Sequence, residues 1–338
     1  MKAAVMKDAR KMVVEEVPDP IAGPDEVVVK VNYVGICGSD LHLYKHGLVP
    51  PDHIMGHEVT GTIASLGSGV SGWKQGDRVW LSGGAPCGKC DHCLREEFDF
   101  CPNRTSIGMG RLPGGYAEYI KVPPRFMIPI PSDVSLKHAA LLDPLGCAYH
   151  AAFLSNIQPG QSALVMGAGP IGLFVIQCLK LAGVTPLILT EPVAARAELG
   201  RRLGADLVLD PTKEDVEGHC SKLTREMGPE MVFECVGIPQ TVLDSVSLVR
   251  KKGKVMWVGF CPDEVTFTPA LWFFKKISIQ TSFGVDSRDE VHHCMKLIQD
   301  KKVAVEELVS EIISIDEVPR AFERLLKPNT EVKILVGF

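Results

Sequence analysis

The sequence has little excess charge of either sign, no long unbroken apolar run and no internal repeat. Its 338 residues carry 36 lysines and arginines against 41 aspartates and glutamates, which gives a formal net charge of −5. A chain without a basic field is not expected to bind nucleic acid or an anionic membrane surface. Residues 163–179 are the longest apolar stretch, and three glycines and a proline interrupt it. The sequence therefore predicts no membrane span.

The first residues also lack the apolar core of a secretory signal, because charges occur from Lys2 onward. We therefore expect a cytoplasmic protein, a setting in which disulfides are rare. Eleven cysteines are many for such a protein. Six of them stand singly among apolar residues and are expected to be small buried side chains. These six are Cys147, Cys178, Cys220, Cys235, Cys261 and Cys294.

Few segments in the first 150 residues have apolar residues at helical spacing, and no long segment of this kind precedes Ser135. Short β-rich runs separated by glycine and proline occupy this part of the chain, a pattern that favours a small irregular barrel or sandwich. The predicted strands are 12–17, 26–34, 57–66, 77–81 and 117–122.

From about Ser162, six apolar runs alternate with helical segments, which is the pattern of a doubly wound parallel sheet. The predicted strands of this sheet are 163–166, 187–189, 207–209, 231–235, 254–258 and 277–281. After Asp286 the pattern predicts a helix at 289–301, a strand at 311–313, a helix at 316–326 and a strand at 332–336, and we expect this tail to return to the first domain. We therefore predict an α/β protein with a β-rich domain at 1–150 and 287–338, and a Rossmann domain at 151–286.

Gly167, Gly169 and Gly172 form a G-x-G-x-x-G sequence, with Pro170 and Ile171 at its last two variable positions. Such hexamers are weak evidence alone, but this one follows a predicted strand and opens an apolar helix, as dinucleotide binding requires. The first glycine allows the tight turn, the second lets the backbone approach the pyrophosphate, and the third permits close helix–sheet packing. We predict that the helix N-terminus binds dinucleotide phosphates.

Glu191 stands at the end of the next predicted strand, about 20 residues beyond the glycines. A carboxylate there can accept hydrogen bonds from both ribose hydroxyls and repels a 2′-phosphate, so the position predicts NAD rather than NADP. Arg196 follows about one helical turn later, and its positive charge could weaken that exclusion.

Four of the remaining cysteines lie close together in the order C-x2-C-x2-C-x7-C. Four thiolates at this spacing can surround one tetrahedral zinc ion and leave no position for water. A disulfide cluster and a ferredoxin-like iron–sulfur loop are the competing interpretations. The predicted structural zinc ligands are Cys87, Cys90, Cys93 and Cys101.

Cys37 follows a predicted strand in the sequence GICGSD, and His57 opens another in GHE. By themselves, a lone cysteine and a lone histidine twenty residues apart are more often core residues than metal ligands. Their occurrence together with a four-cysteine loop and a dinucleotide fold favours ligands instead.

Together these motifs resemble those of the zinc-containing medium-chain alcohol and polyol dehydrogenases, most closely the sorbitol, threonine and butanediol dehydrogenase branch. The resemblance implies a GroES-like catalytic domain beside the Rossmann domain, and reversible hydride transfer between an alcohol or its ketone and NAD. The similarity extends over essentially the whole chain, through residues 35–42, 56–61, 87–101, 167–172 and 233–237.

By this resemblance, Cys37 and His57 bind the catalytic zinc, so that the protein holds two zinc ions per chain. The third ligand varies within the family between the glutamate after the histidine and an acidic residue before a later proline. Here these are Glu58 and Asp143, and the sequence leaves both open. Three protein ligands leave one position for the substrate.

The resemblance also implies which residues transfer the proton and which residues lie beside the nicotinamide ring of the cofactor. The hydroxyl of Ser39 is expected to contact the reacting alcohol, and His42 to pass its proton on through the nicotinamide ribose towards solvent. Other histidines, namely His46, His53 and His150, are expected to be structural. Val236, Val258 and Ser282 are the positions expected beside the nicotinamide. Residues 271–274 and 277–281 are expected to pair with a second copy, giving a homodimer or homotetramer.

The resemblance leaves the substrate open. Sorbitol dehydrogenases carry an Arg-Tyr pair near the stretch that here reads SFGV at 282–285, so a sorbitol-binding arginine is absent. The pocket candidates Tyr44, Met109 and Leu112 are mostly apolar, and secondary alcohols, diols and cyclic alcohols are all compatible with them. The alternatives are a zinc-free quinone or enoyl reductase and a non-catalytic NAD-binding protein on the same fold.

Overall fold

The computed structural model describes residues 1–285 and 287–338; Asp286, where the predicted Rossmann domain ends, lies outside the described residues. The chain packs into two compact units. The first comprises Met1–Asp143, Ile298–Asp300 and Leu308–Phe338, and the second comprises Pro144–Leu297 and Lys301–Glu307. The domain boundaries at residues 150 and 287 remain a prediction.

The first 143 residues are rich in strands. Their elements are β1 (Lys2–Asp8), β2 (Lys11–Glu16), β3 (Val27–Gly35), α1 (Gly38–His46), β4 (His53–Ile54), β5 (Glu58–Leu66), β6 (Arg78–Leu81), β7 (Gly84–Ala85), α2 (Asp91–Leu94), β8 (Thr105–Ser106), β9 (Tyr119–Val122), β10 (Met127–Pro129) and α3 (Leu136–Ala139).

The second unit is an alternating α/β segment. Its elements are α4 (Leu142–Ser155), β11 (Ala163–Met166), α5 (Pro170–Leu181), β12 (Leu187–Thr190), α6 (Ala194–Arg202), β13 (Leu207–Leu209), α7 (Val216–Leu223), β14 (Met231–Glu234), α8 (Pro239–Leu248), β15 (Lys254–Trp257), α9 (Pro269–Lys275), β16 (Ser278–Thr281) and α10 (Arg288–Gln299). The chain then returns to the first unit with β17 (Val309–Ile313), α11 (Val318–Leu325) and β18 (Lys333–Gly337).

The sheet of the first unit has the order β10-β6-β5-β3-β18-β17, with β9 also paired to β3. Val27, Val29 and Val31 alternate along β3 and are fully buried, as expected for a strand with one face on a core. The aromatic rings of Tyr116 and Phe322 meet edge to face in that core, 5.6 Å between centroids. This β-rich unit confirms the GroES-like part of the predicted fold.

The sheet of the second unit is parallel throughout and has the order β13-β12-β11-β14-β15-β16. This is the doubly wound order, in which the direction of winding reverses between the first and fourth strands. Every residue of β11 and β12 is buried, which explains why these strands appear in the sequence as continuous apolar runs. The Rossmann prediction is confirmed.

Several elements lie outside the predicted ones, among them β1, α1 and α4. α1 has nine residues, and of these only Asp40 and Tyr44 are buried, so it has no apolar stripe from which a helix could be predicted. Among the described residues, no helix is both long and apolar enough to cross a membrane.

Candidate metal centres and dinucleotide site

Strand pairing brings the dispersed cysteine and histidine together. β3 and β5 are antiparallel, and Gly35 at the end of β3 lies opposite Glu58 at the start of β5. Cys37 and His57 flank this pair of residues and therefore meet at one end of the sheet. A Cβ atom on Gly35 would lie 1.9 Å from Oε2 of Glu58, so a glycine is required there for the carboxylate to fit.

Cys37, His57 and Glu58 offer three ligand atoms that lie within 4.8 Å of one another. A sulfur, an imidazole nitrogen and a carboxylate oxygen are all zinc ligands. His57 is buried, and Oγ of Ser39 lies 3.5 Å from its Nε2 atom. The donor set fits a zinc ion with an open position.

Asp40, which was not predicted as a site residue, lies behind His57. Its Oδ1 atom is 3.2 Å from Nδ1 of His57, an ion-pair contact that is not aligned as a hydrogen bond. Its Oδ2 atom accepts hydrogen bonds from the amide of Cys37 at 3.0 Å and the hydroxyl of Tyr116 at 2.7 Å. Burial acts to lower the pKa of His57, but the Asp40 carboxylate raises it well above its usual value. A carboxylate behind a ligating histidine is the usual outer support of a metal site.

Glu58 has a second partner that the sequence did not suggest. The ammonium group of Lys333, on β18, lies 2.8 Å and 2.7 Å from the two carboxylate oxygens and also donates to the carbonyl of Ile36 at 3.0 Å. Both side chains are almost completely buried, with 2% and 1% exposed. Because 275 residues separate the partners, no local pattern could have revealed the pair.

Asp143 lies near the same centre but outside the group of converging ligand atoms. A Cβ atom on Gly83 would lie 3.5 Å from the His57 ring and 3.8 Å from Oδ1 of Asp143. Burial, strengthened by the negative charge of Glu58, raises the pKa of Asp143 to about 6. Of the two candidates for third ligand, Glu58 is the one whose oxygen meets Cys37 and His57.

Other predicted residues of the first unit are placed as follows. His42 lies on α1, one turn after Ser39, and His46 is exposed at the last residue of that helix. The buried His53 ring accepts a hydrogen bond from the amide of Gly110 at 3.0 Å. In the second unit, Nδ1 of the buried His150 lies 2.9 Å from Oε1 of Glu290.

Tyr44 is not a pocket residue, contrary to the prediction. Its side chain is 2% exposed, and its hydroxyl donates to the carbonyl of Arg10 at 3.0 Å and to Glu323 at 2.9 Å. Burial and the carboxylate of Glu323 raise the pKa of Tyr44 to about 12. Its neighbour four residues earlier, Asp40, is also buried, so both lie on the inner face of α1.

The four-cysteine loop forms a second cluster. The Sγ atom of Cys90 lies 3.4 Å from that of Cys93 and 3.7 Å from that of Cys101. The Sγ atom of Cys87 lies 3.9 Å from that of Cys93. Zinc bonds of about 2.3 Å in a tetrahedron separate their sulfurs by roughly 3.8 Å, whereas a disulfide requires about 2 Å. All four thiols are free, and the amide of Lys89 lowers the pKa of Cys87 to about 6. The cluster fits one closed metal site.

The glycine-rich sequence forms the turn between β11 and α5, at the carboxyl end of the parallel sheet. Gly167 has a φ of 92°, and Gly169 is the N-cap of α5, where Pro170 occupies the first turn with Ile171 after it. A Cβ atom on Gly172 would lie 1.9 Å from the carbonyl oxygen of Gly167. No atom lies within 4 Å of a Cβ position on Gly169, so an approaching phosphate meets open backbone there.

Glu191 follows β12 and is buried, with 5% exposed. Its Oε2 atom accepts a hydrogen bond from the amide of Ala168, inside the glycine-rich turn, and its Oε1 atom accepts one from Val193, both at 2.8 Å. The carboxylate is therefore fixed beside the turn by backbone donors. Arg196 lies on α6, one turn further on.

The expected nicotinamide positions lie where three neighbouring strands end. Val236 follows β14, Val258 follows β15 and Ser282 follows β16. Ser282 is buried, yet its hydroxyl has no hydrogen-bond partner among the described residues, as expected where a polar cofactor group completes the site. Glu234, not predicted, accepts hydrogen bonds from the amides of Val236 and Gly237 at 2.8 Å and fixes that turn.

Comparison with known proteins agrees with the division into two units and identifies the family. Residues 23–132 match the model of the alcohol dehydrogenase GroES-like domain, and residues 170–300 match that of the zinc-binding dehydrogenases. The sorbitol dehydrogenase of Bacillus subtilis is 31% identical over 99% of this chain and 97% of its own length. The L-threonine 3-dehydrogenase of Pyrococcus horikoshii is 33% identical over 93% of this chain and 92% of its own length.

A solved structure shows the same architecture. The zinc-binding dehydrogenase of Sinorhizobium meliloti, bound to NADP, superposes with a TM-score of 0.92 at 32% identity, covering 100% of this chain and 99% of that one. Both units thus have the fold of one known type of enzyme. The chain is a member of the zinc-binding medium-chain alcohol dehydrogenases, which transfer hydride between an alcohol and a nicotinamide dinucleotide.

Proposed function

We propose that this enzyme oxidises secondary alcohols, diols or polyols reversibly with NAD, using one catalytic and one structural zinc ion. The observation that carries the proposal is the convergence of Cys37, His57 and Glu58, with Asp40 behind the histidine. When bound, zinc supplies a Lewis acid for the alcohol oxygen and NAD accepts the hydride. Formation of NADH from a panel of secondary alcohols and diols tests the proposal.

The side chains around the centre formed by Cys37, His57 and Glu58 have separate proposed roles in the reaction. Asp40 orients His57, so that Nε2 faces Ser39. The hydroxyl of Ser39 accepts the proton of the alcohol as it releases its own, and His42, one turn along α1, passes the released proton on towards solvent. Glu58 is proposed as the third ligand, with Asp143 as a supporting carboxylate.

The proposed preference for NAD rests on Glu191. Glu191→Gln removes the negative charge that would repel a 2′-phosphate and is expected to lower the NAD-to-NADP ratio of kcat/KM by about tenfold to a hundredfold. Steady-state kinetics with both cofactors measures the ratio. Glu198→Gln, an exposed position on α6, is the matched control. Equal efficiency of the unmodified enzyme with both cofactors would contradict the proposal.

The second zinc ion is proposed for the four-cysteine loop. Cys90→Ser removes one ligand from a closed site, and the variant is expected to hold one zinc per chain and to melt at a lower temperature, because metal binding there contributes to folding. Metal analysis and calorimetry measure both effects. Cys261→Ser, outside the loop, should keep two zinc ions. Full zinc content in Cys90→Ser would refute this assignment.

We also propose a cytoplasmic homodimer or homotetramer. The outer edge of β16 has no neighbouring strand among the described residues, and unpaired edges invite pairing with another chain. The adjacent helix α9 exposes Leu271, Phe273 and Phe274 at 66%, 77% and 76%, a large apolar surface for a monomer. Analytical ultracentrifugation at micromolar concentration would give the mass of one chain if the proposal is wrong.

A further inference from the structure

Two histidines lie side by side on α1, outside both metal centres described above. His42 and His46 are four residues apart, so their side chains leave the helix on the same face. Their ring centroids are 4.8 Å apart, and the ring planes are inclined by 46°. His42 is half-buried and His46 is exposed.

The backbone that carries the pair is fixed at both ends of the helix. At the N-terminus, Asp40 accepts a hydrogen bond from the amide of Cys37 at 3.0 Å. At the C-terminus, Gly47 adopts a φ of 63° and donates to the carbonyl of Leu43. Buried Asp40 and Tyr44 hold the opposite face. Ligands on a fixed backbone lose little conformational entropy when they bind.

Two imidazoles at this spacing can chelate a divalent transition metal. Zinc proteases also place two histidine ligands four residues apart on one helix face. A ligating nitrogen lies about 2.0–2.1 Å from zinc, so the centroids of two rings that share an ion are roughly 5 Å apart. His42 and His46 already have this separation. Imidazole suits zinc, copper and nickel ions in particular.

We propose that His42 and His46 form a third metal site, which takes a divalent ion such as Zn²⁺ or Ni²⁺ and thereby inhibits the enzyme. The inhibition rests on the proposed role of His42 in proton transfer. An imidazole nitrogen that ligates an ion has no lone pair with which to accept a proton. Occupancy of this site therefore removes His42 from the proton path, while the other two centres keep their zinc.

Metal binding is tested by calorimetric titration of the untagged holoenzyme with Ni²⁺. His46→Gln leaves only one imidazole, and the affinity of the site is expected to fall by about tenfold or more because the chelate is lost. Lys45→Gln changes the neighbouring exposed residue and should bind Ni²⁺ as the unmodified enzyme does. Unchanged affinity in His46→Gln would overturn the site.

Inhibition is tested by following NADH formation at increasing Ni²⁺ concentration. His46→Gln should keep its turnover without added metal and should need about tenfold or more Ni²⁺ for half-inhibition. Undiminished turnover when calorimetry shows the site to be filled would overturn its regulatory role. A lack of alcohol oxidation before any Ni²⁺ is added would count against the proposed function instead, and the titration would still decide whether the site exists.

Discussion

Replacing Cys37 by serine is expected to lower kcat/KM for alcohol oxidation at least about a thousandfold. The reason is the loss of one of three converging ligands, because the several kcal/mol that a metal ion contributes to the transition state is then lost. NAD affinity, which depends on the second unit, should change little. Stopped-flow or steady-state formation of NADH measures the first quantity, and fluorescence titration with NADH measures the second.

His57→Ala should give the same result, and Cys90→Ser serves as the control that loses a zinc ion from the other centre. Normal alcohol oxidation by Cys37→Ser would show that the chemistry does not depend on this metal, as in a zinc-free reductase. The candidates for third ligand are separated by comparing Glu58→Gln with Asp143→Asn. The true ligand should lose zinc as well as rate, whereas a supporting carboxylate should lose mainly rate.

Lys333→Met is expected to reduce the free energy of unfolding of the zinc-free protein by about 3–5 kcal/mol, because without zinc it leaves the carboxylate of Glu58 buried with no countercharge. The ion pair is nearly inaccessible to solvent, at 2% and 1% exposed, so water cannot replace the missing ammonium group. Urea unfolding, followed by a probe in the first unit such as the fluorescence of Trp80, measures the effect.

Two further variants make that result specific. Lys2→Met removes a lysine from the exposed pair with Asp316, where 46% and 59% of the side chains are exposed, and should leave the free energy of unfolding nearly unchanged. The double variant Lys333→Met with Glu58→Gln should recover part of the loss, since both charges of the pair are then removed. If Lys333→Met behaves like Lys2→Met, the pair does not contribute to stability.

Much of the second unit could be predicted from sequence because its information is local. Strands β11 and β12 are buried on both faces, so each is a continuous apolar run. The glycines at 167, 169 and 172 are required by a turn of fixed geometry. The spacing of the four cysteines likewise predicted the cluster that the structure contains.

The parts that could not be predicted depend on distant or indirect contacts. Lys333 begins an otherwise apolar strand, and only the pairing of β18 with β3 brings it to Glu58. Asp40 is a helix-start residue by its position, and its contact with His57 arises from strand register. The sequence predicted that Glu191 binds a ribose, which stays a prediction, but it did not predict that the carboxylate accepts a hydrogen bond from the amide of Ala168.

The pairing of Lys333 with Glu58 also has a consequence for biosynthesis. Glu58 is synthesised early, and the residues of the second unit are synthesised before β18. Until then β3 lacks the neighbour that it has in the finished sheet, and the carboxylate beside Cys37 has no ammonium partner. Domains generally fold as units during synthesis. The second unit can therefore fold before β18, the last strand of the first unit, has been synthesised. We therefore expect the catalytic centre to be completed only after residue 333 has been synthesised, and the dinucleotide domain to be able to fold before that.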